Sequence, residues 1–144
     1  MAGLLRKAEA LADSSDYVAD DKAHWNAVRS LIVKANRADN DNPVALFRYY
    51  QSYRRQGIEP SKIAVEGLFR AFDLAPQSDE IRMAIAQQLV IESKFKSARN
   101  VLMPIAYAPH GGDGRDMARD IIASIDAKDS SSVKTTAMEA DLEN

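Results

Sequence analysis

The sequence predicts an all-α chain: a short right-handed superhelix of about three helix-turn-helix pairs, closed by a C-terminal capping helix. Three observations carry that expectation. The first is a period of 34 residues, which separates Ala64 from Ala98, Leu68 from Leu102 and Ala71 from Ile105. A small residue, a large apolar one four later and another apolar one three later, recurring at that period, marks stacked helical hairpins. The second is apolar spacing by threes and fours along almost the whole chain. The third is punctuation, since Pro, Gly, Asn, Asp and Ser fall where one helix must stop and the next begin.

Residues 4–12 read as a short helix, with Leu4, Leu5, Ala8, Leu11 and Ala12 at helical spacing. Asp13-Ser14-Ser15-Asp16 breaks it with residues that favour turns and caps. Asp20 or Asp21 starts a second helix, whose apolar face is Trp25, Val28, Leu31, Ile32 and Ala35. Asn42 then serves as N-cap with Pro43 in the first turn of a third helix, which runs to about Gln56 and carries Leu46, Phe47, Tyr49, Tyr50 and Tyr53. Gly57 suits the left-handed position that ends it.

Pro60 is expected in the first turn of a fourth helix, ending near Ala75-Pro76. Ser78 caps a fifth, with Asp79 and Glu80 where the helix dipole favours acids. That helix carries Ile81, Ile85, Leu89 and Val90, with Ala84 and Ala86 as small contacts. Ser93-Lys94 turns into a sixth helix from Phe95 to about Tyr107, in which Pro104 predicts a kink or an early end. After the His110-Gly111-Gly112-Asp113-Gly114 loop, Asp113 is a cap for a seventh helix with an apolar stripe of Met117, Ile121, Ile122 and Ile125. The opposite face, Arg115, Asp116, Arg119 and Asp120, suits a solvating cap at the end of a stack. The expected organisation is a repeat domain over residues 1–127, with units of approximately 4–42, 43–76 and 77–110 and a capping helix at 113–127. An acidic tail, 128–144, follows and reads as disordered, being Ser, Thr, Ala and acid with almost no large apolar residue.

A chain of 144 residues buries a core without staples, and it holds no cysteine, which excludes disulfides, thiolate zinc sites and a Cys nucleophile. The net charge of −2 lies entirely in the tail, residues 1–126 carrying 17 basic and 17 acidic side chains. That balance disfavours nucleic acid, which needs a basic face. No apolar run approaches the roughly 20 residues of a membrane span, and the N-terminus lacks a signal peptide's apolar centre.

Residues 43–109 resemble tetratricopeptide repeats. In the second unit Ile85-Ala86 stand as the bulky-small pair, Leu89 at the aromatic position, Lys94-Phe95 in the turn, and Ala98, Leu102 and Ile105 along the second helix. The first unit offers Leu46, Tyr49-Tyr50, Tyr53, Ala64, Leu68, Ala71 and Pro76. It departs from the pattern at Tyr50, where a small residue is usual, and in a two-residue insertion within Ile58-Glu59-Pro60-Ser61. Leu31, Ala35, Ala38 and Pro43 resemble the second helix of an earlier, degenerate unit. The close of the chain, from Ala98-Arg99 through Pro109-His110-Gly111-Gly112 to Ala118-Arg119, is similar to bacterial proteins that carry such repeats after a peptidase-like domain. That similarity implies an accessory docking or oligomerisation domain, cytoplasmic or, within an exported protein, periplasmic. The His-Glu-x-x-His motif of such peptidases is absent.

No catalytic, cofactor or metal site is expected. His24 and His110 lack metal-spaced partners, and the glycine-rich loop lacks the Lys-Ser/Thr of a phosphate-binding loop and follows no strand. The distinctive stretch is Phe47-Arg48-Tyr49-Tyr50-Gln51-Ser52-Tyr53-Arg54-Arg55, which contains no acid. The resemblance implies that first helices line a concave surface. Val44, Phe47, Gln51, Arg54 and Arg55 would then face it, with Glu80, Met83, Gln87, Val90 and Ile91 in the next unit. Such a groove suits a protein or peptide partner bearing carboxylates, with arginines as the fixing groups. The expected function is therefore a non-enzymatic interaction or scaffold module.

Overall fold

A computed structural model describes residues 2–14, 21–109, 111–112, 114–127, 134 and 137. The described residues form seven α-helices and no strand: α1 (Ala2–Ala12), α2 (Lys22–Ala38), α3 (Pro43–Gln56), α4 (Lys62–Leu74), α5 (Asp79–Ile91), α6 (Phe95–Ala106) and α7 (Arg115–Asp126). No helix among them is long and apolar enough to cross a membrane.

Four of the helices begin on a side-chain cap. Asp21, Asn42, Ser61 and Ser78 accept hydrogen bonds from the backbone N–H groups of His24, Val44, Ala64 and Ile81, over 3.2, 2.9, 3.2 and 3.3 Å. Each satisfies one of the donors that a helix start leaves unpaired. At α4 the capping residue is Ser61, so Pro60 lies ahead of the helix rather than in its first turn. The start of α7 differs as well: Gly114 is its N-cap, without a side-chain bond. Asp113, the expected cap, and His110 lie outside the described residues. Helix α6 ends at Ala106, shortly after Pro104, which lacks the N–H that a helix interior uses.

The chain divides into two compact units, residues 1–75 and 76–144. In the first, α1 packs on α2, α2 on α3 and α3 on α4. One core cluster there joins Ala8 and Ala12 of α1, Trp25, Val28 and Ile32 of α2, and Ala45 of α3, with Leu5, Leu11, Leu31 and Tyr49 packed around it. Ala64, Leu68 and Ala71 are fully buried along α4. The small residues let helix backbones approach, and the large one fills the space between them.

In the second unit α5 packs on α6, and α6 on α7. Ala98, Leu102 and Ile105 of α6 occupy the same buried register as the α4 trio, and Ala118, Ile121 and Ile122 bury the α7 stripe. Helix α5 is buried from Met83 through Val90 without a break. Arg99 ties α6 to α7 by two bonds to the Asp126 carboxylate, at 2.9 and 3.4 Å, and Arg119 donates to the Ala106 carbonyl at 2.8 Å. Most of the expected disordered tail lies outside the described residues. Within it Ala137 is helical and only 1% exposed, its carbonyl accepting a 3.5 Å bond from the Gln87 amide.

Candidate functional site

The residues with the most distinctive chemistry lie where α1, α2 and α3 meet. Helix α3 presents arginines at positions 48, 54 and 55, while α2 places Arg29 one turn after Trp25 on its core face. Arg29 is 9% exposed, and the side chains it bonds, Gln56, Ser52 and Asn26, are neutral. Its guanidinium donates to Gln56 Oε1 at 2.7 Å, Ser52 Oγ at 3.3 Å and Asn26 Oδ1 at 3.4 Å. It also stands 4.3 Å from the centroid of the Tyr53 ring. A buried cation without these bonds would cost several kcal/mol, at least ~3, so Ser52 and Gln56 are buried to serve it.

The two flanking tyrosines respond to this arrangement. Tyr49 and Tyr53 share a hydrogen bond of 3.3 Å and meet edge to face. Burial, with the Tyr53 bond added, pushes the Tyr49 phenol up to about 12. Burial also pushes Tyr53 upward, but its bonds with Tyr49 and Ser61 and the charge of Arg29 outweigh that and hold it below the usual value.

Next to this network lies a small cleft of about 20 Å³, open to solvent, between α1, α2 and α3. Its floor is Trp25, Val28 and Ile32, its α1 wall is Leu5, Ala8 and Ala12, and its polar rim includes Glu9, Arg48, Gln51 and Arg55. Arg55 donates to the Asp13 carboxylate at 2.7 Å and to the Ala12 carbonyl at 3.1 Å, and lies 5.5 Å over the Trp25 ring. Arg48 pairs with Glu9 at 3.4 Å and donates to Gln51 at 2.8 Å. The carboxylate side chains are 47% exposed at Glu9 and 61% at Asp13. Such solvated pairs contribute only about 0–1 kcal/mol each.

The expected partner-facing residues therefore separate. Gln51 and Arg55 line the cleft together. Val44 is 46% exposed near the start of α3. Arg54 turns back on its own helix, donating to the Tyr50 hydroxyl at 3.0 Å. Phe47, Met83 and Gln87 are buried, so none of the three offers the free surface expected of it. In the second unit Met83 and Gln87 belong to the continuously buried run of α5, and Val90 with them. Ile91 is half-buried and Glu80 exposed.

Sequence reasoning passed over Arg29 and Glu9, read Asp13 only as a turn residue, and named Arg48 in the distinctive stretch without a partner-facing place. Signals existed for each: Arg29 occupies the register of Trp25 and Ile32, and Glu9 and Asp13 are one turn apart beside Ala8 and Ala12. His24 packs edge-on to Trp25, with ring centroids 5.0 Å apart. Among the described residues no group of three or more His, Cys, Asp or Glu could hold a metal ion. No protein-family model, curated protein or solved structure matches this chain.

Proposed function

We propose that this chain is a non-enzymatic protein-interaction module of tetratricopeptide type, holding a carboxylate-bearing peptide or helix against the α2–α3 face of its first unit. The observation that carries the reading is the cleft itself: a Trp25, Val28 and Ile32 floor beneath Arg48 and Arg55. The floor is itself core, 1–3% exposed, and gives the arginines a rigid apolar support. The arginines supply planar, forked donors suited to carboxylates, and Arg55 is held over Trp25 by its ring. Arg29 adds a fixed positive charge behind the floor, held by neutral partners, which favours anionic segments over cationic ones. The 34-residue period and the matching buried registers of α4 and α6 support the repeat type.

The test is affinity capture from the native proteome with the wild-type chain, an Arg48→Glu/Arg55→Glu variant and an Arg54→Glu variant, compared by mass spectrometry. Partners should be lost with the double variant and largely kept with Arg54→Glu, whose guanidinium is directed at Tyr50. Circular dichroism checks that all three are folded. A partner set unchanged by the double charge reversal would sink the assignment.

A further inference from the structure

Met83 and Gln87 stand one turn apart on α5, on the stripe that the sequence assigns to a groove, and both meet residues of their own unit. Gly114, ahead of α7, has no side chain, and a Cβ there would lie 3.5 Å from the Met83 methyl carbon. Ala137, 50 positions along the chain from Gln87, is 1% exposed, and its carbonyl accepts the Gln87 Nε2 bond at 3.5 Å. Lys134, three positions earlier, is helical and exposed.

Gln87 is the informative residue. The run from Met83 to Val90 is buried, and its polar side chains are Gln87 and Gln88. Gln88 Nε2 reaches Glu92 Oε2, one turn ahead at the end of α5, over 3.5 Å. Gln87, 4% exposed, donates instead to a main-chain carbonyl of a distant segment. A primary amide is costly to bury without a partner, whereas on an open surface water supplies one. Glutamine here therefore suits a stripe that is covered at some times and wet at others; an aliphatic side chain would serve a permanent core better. An amide directed at a main-chain carbonyl recognises peptide whatever its side chains, and the methionine one turn away adapts to what it meets.

Over residues 128–144 the large apolar side chains are Val133, Met138 and Leu142, set among Ser, Thr, Lys and acids. That composition limits the area the segment can bury, and segments of this kind order against a surface rather than by themselves. We propose that residues 128–144 are a ligand in cis: a peptide segment that the Met83–Gln87 stripe binds reversibly, with Ala137 as the small residue at the contact. The stripe is then a second peptide-binding surface, filled by the chain itself. It stands apart from the proposed α2–α3 site.

The chain has no cysteine, so Lys134→Cys and Ala137→Cys each give the full-length protein a single thiol. Maleimide labelling rates read how often each position is open, and circular dichroism checks folding. Position 137 should react at least about tenfold more slowly than position 134, as a covered site does. A free peptide of residues 128–144 is then added at millimolar concentration, on the order of the effective concentration of a tethered segment. It should speed labelling at 137 several-fold and leave 134 unchanged, and the same peptide carrying Ala137→Arg should do neither. Gln87→Ala, added to the Ala137→Cys chain, should speed labelling without any peptide. Equal rates at the two positions would overturn the seating of the segment. A slow rate at 137 that the peptide does not raise would mark a fixed part of the core and overturn the ligand reading, whatever Gln87→Ala does.

Discussion

Helices α3 and α5 each pack on the helix that follows, α4 and α6, in which the same buried register recurs, yet they use opposite means to stay in place. Helix α3 buries two opposite stripes, Ala45, Ser52 and Gln56 on one and Phe47 and Tyr50 on the other, and presents Arg48 and Arg55 between them. Helix α5 is buried over eight consecutive residues and exposes little besides its acidic first turn. Burial on every side leaves a helix no surface to offer, whereas two buried stripes with charged residues between them leave a rim that a partner can use. That is why the proposed function draws on α3, while α5 carries structural weight.

The comparison breaks most readily in the core. Ile85→Ala in α5 should cost about 2–5 kcal/mol, because a fully buried side chain leaves a cavity. Val44→Ala on the exposed side of α3 should stay within about 0.5 kcal/mol. Urea unfolding of the two variants measures both, and equal losses would erase the distinction.

Next in size is the polar interior of the first unit. Gln56→Leu removes the shortest bond to Arg29 and should destabilise by about 1–3 kcal/mol, although leucine is the more apolar residue. A neutral or stabilising result in the same unfolding assay would mean that the buried guanidinium finds water instead.

The helix ends give a smaller and reciprocal test. Both helices close with the same pair of bonds: Gly57 to the Arg54 carbonyl and Ile58 to Tyr53 after α3, and Ser93 to Val90 and Lys94 to Leu89 after α5. The left-handed residue is glycine in the first, at φ 82°, and serine in the second, at φ 62°. Gly57→Ala should therefore destabilise by about 1 kcal/mol, while Ser93→Gly should stabilise by up to about 1. Thermal melts should move in opposite directions.

The smallest effect is a titration. Tyr49, raised by burial and by its bond to Tyr53, ionises near 12 in the fold, against about 10 in an unfolded chain. A folded-state value above the unfolded one favours the protonated form. Its contribution is thus fully present below pH about 10 and is lost as pH rises towards 12. In Tyr53→Phe, tyrosinate absorbance should show Tyr49 ionising at lower pH, though still above the ordinary value because its burial remains. No change would remove the hydrogen bond from the account.

Much of the helical framework was legible residue by residue. Asn42, Ser78 and Gly57 act through bonds to neighbours a few positions away, so their roles follow from local chemistry. The buried registers Ala64-Leu68-Ala71 and Ala98-Leu102-Ile105 follow from helical period alone. Pro60 misled because a serine one position later makes the better cap.

The candidate site was legible only in part. The Tyr/Arg-rich stretch drew attention to α3, but local pattern does not tell Arg55, which reaches α1, from Arg54, which folds back on Tyr50. Period also cannot show that Phe47, Met83 and Gln87 are covered, since covering depends on which segments pack over them. By itself, then, the sequence determined the helices and their ends, because capping and amphipathic spacing act over three or four residues. Tertiary structure alone decided what each charge meets: Arg29 lies 27 positions from Gln56, and Arg55 lies 42 from Asp13. Such pairs are set by the packing of helices on one another, and no local preference specifies them.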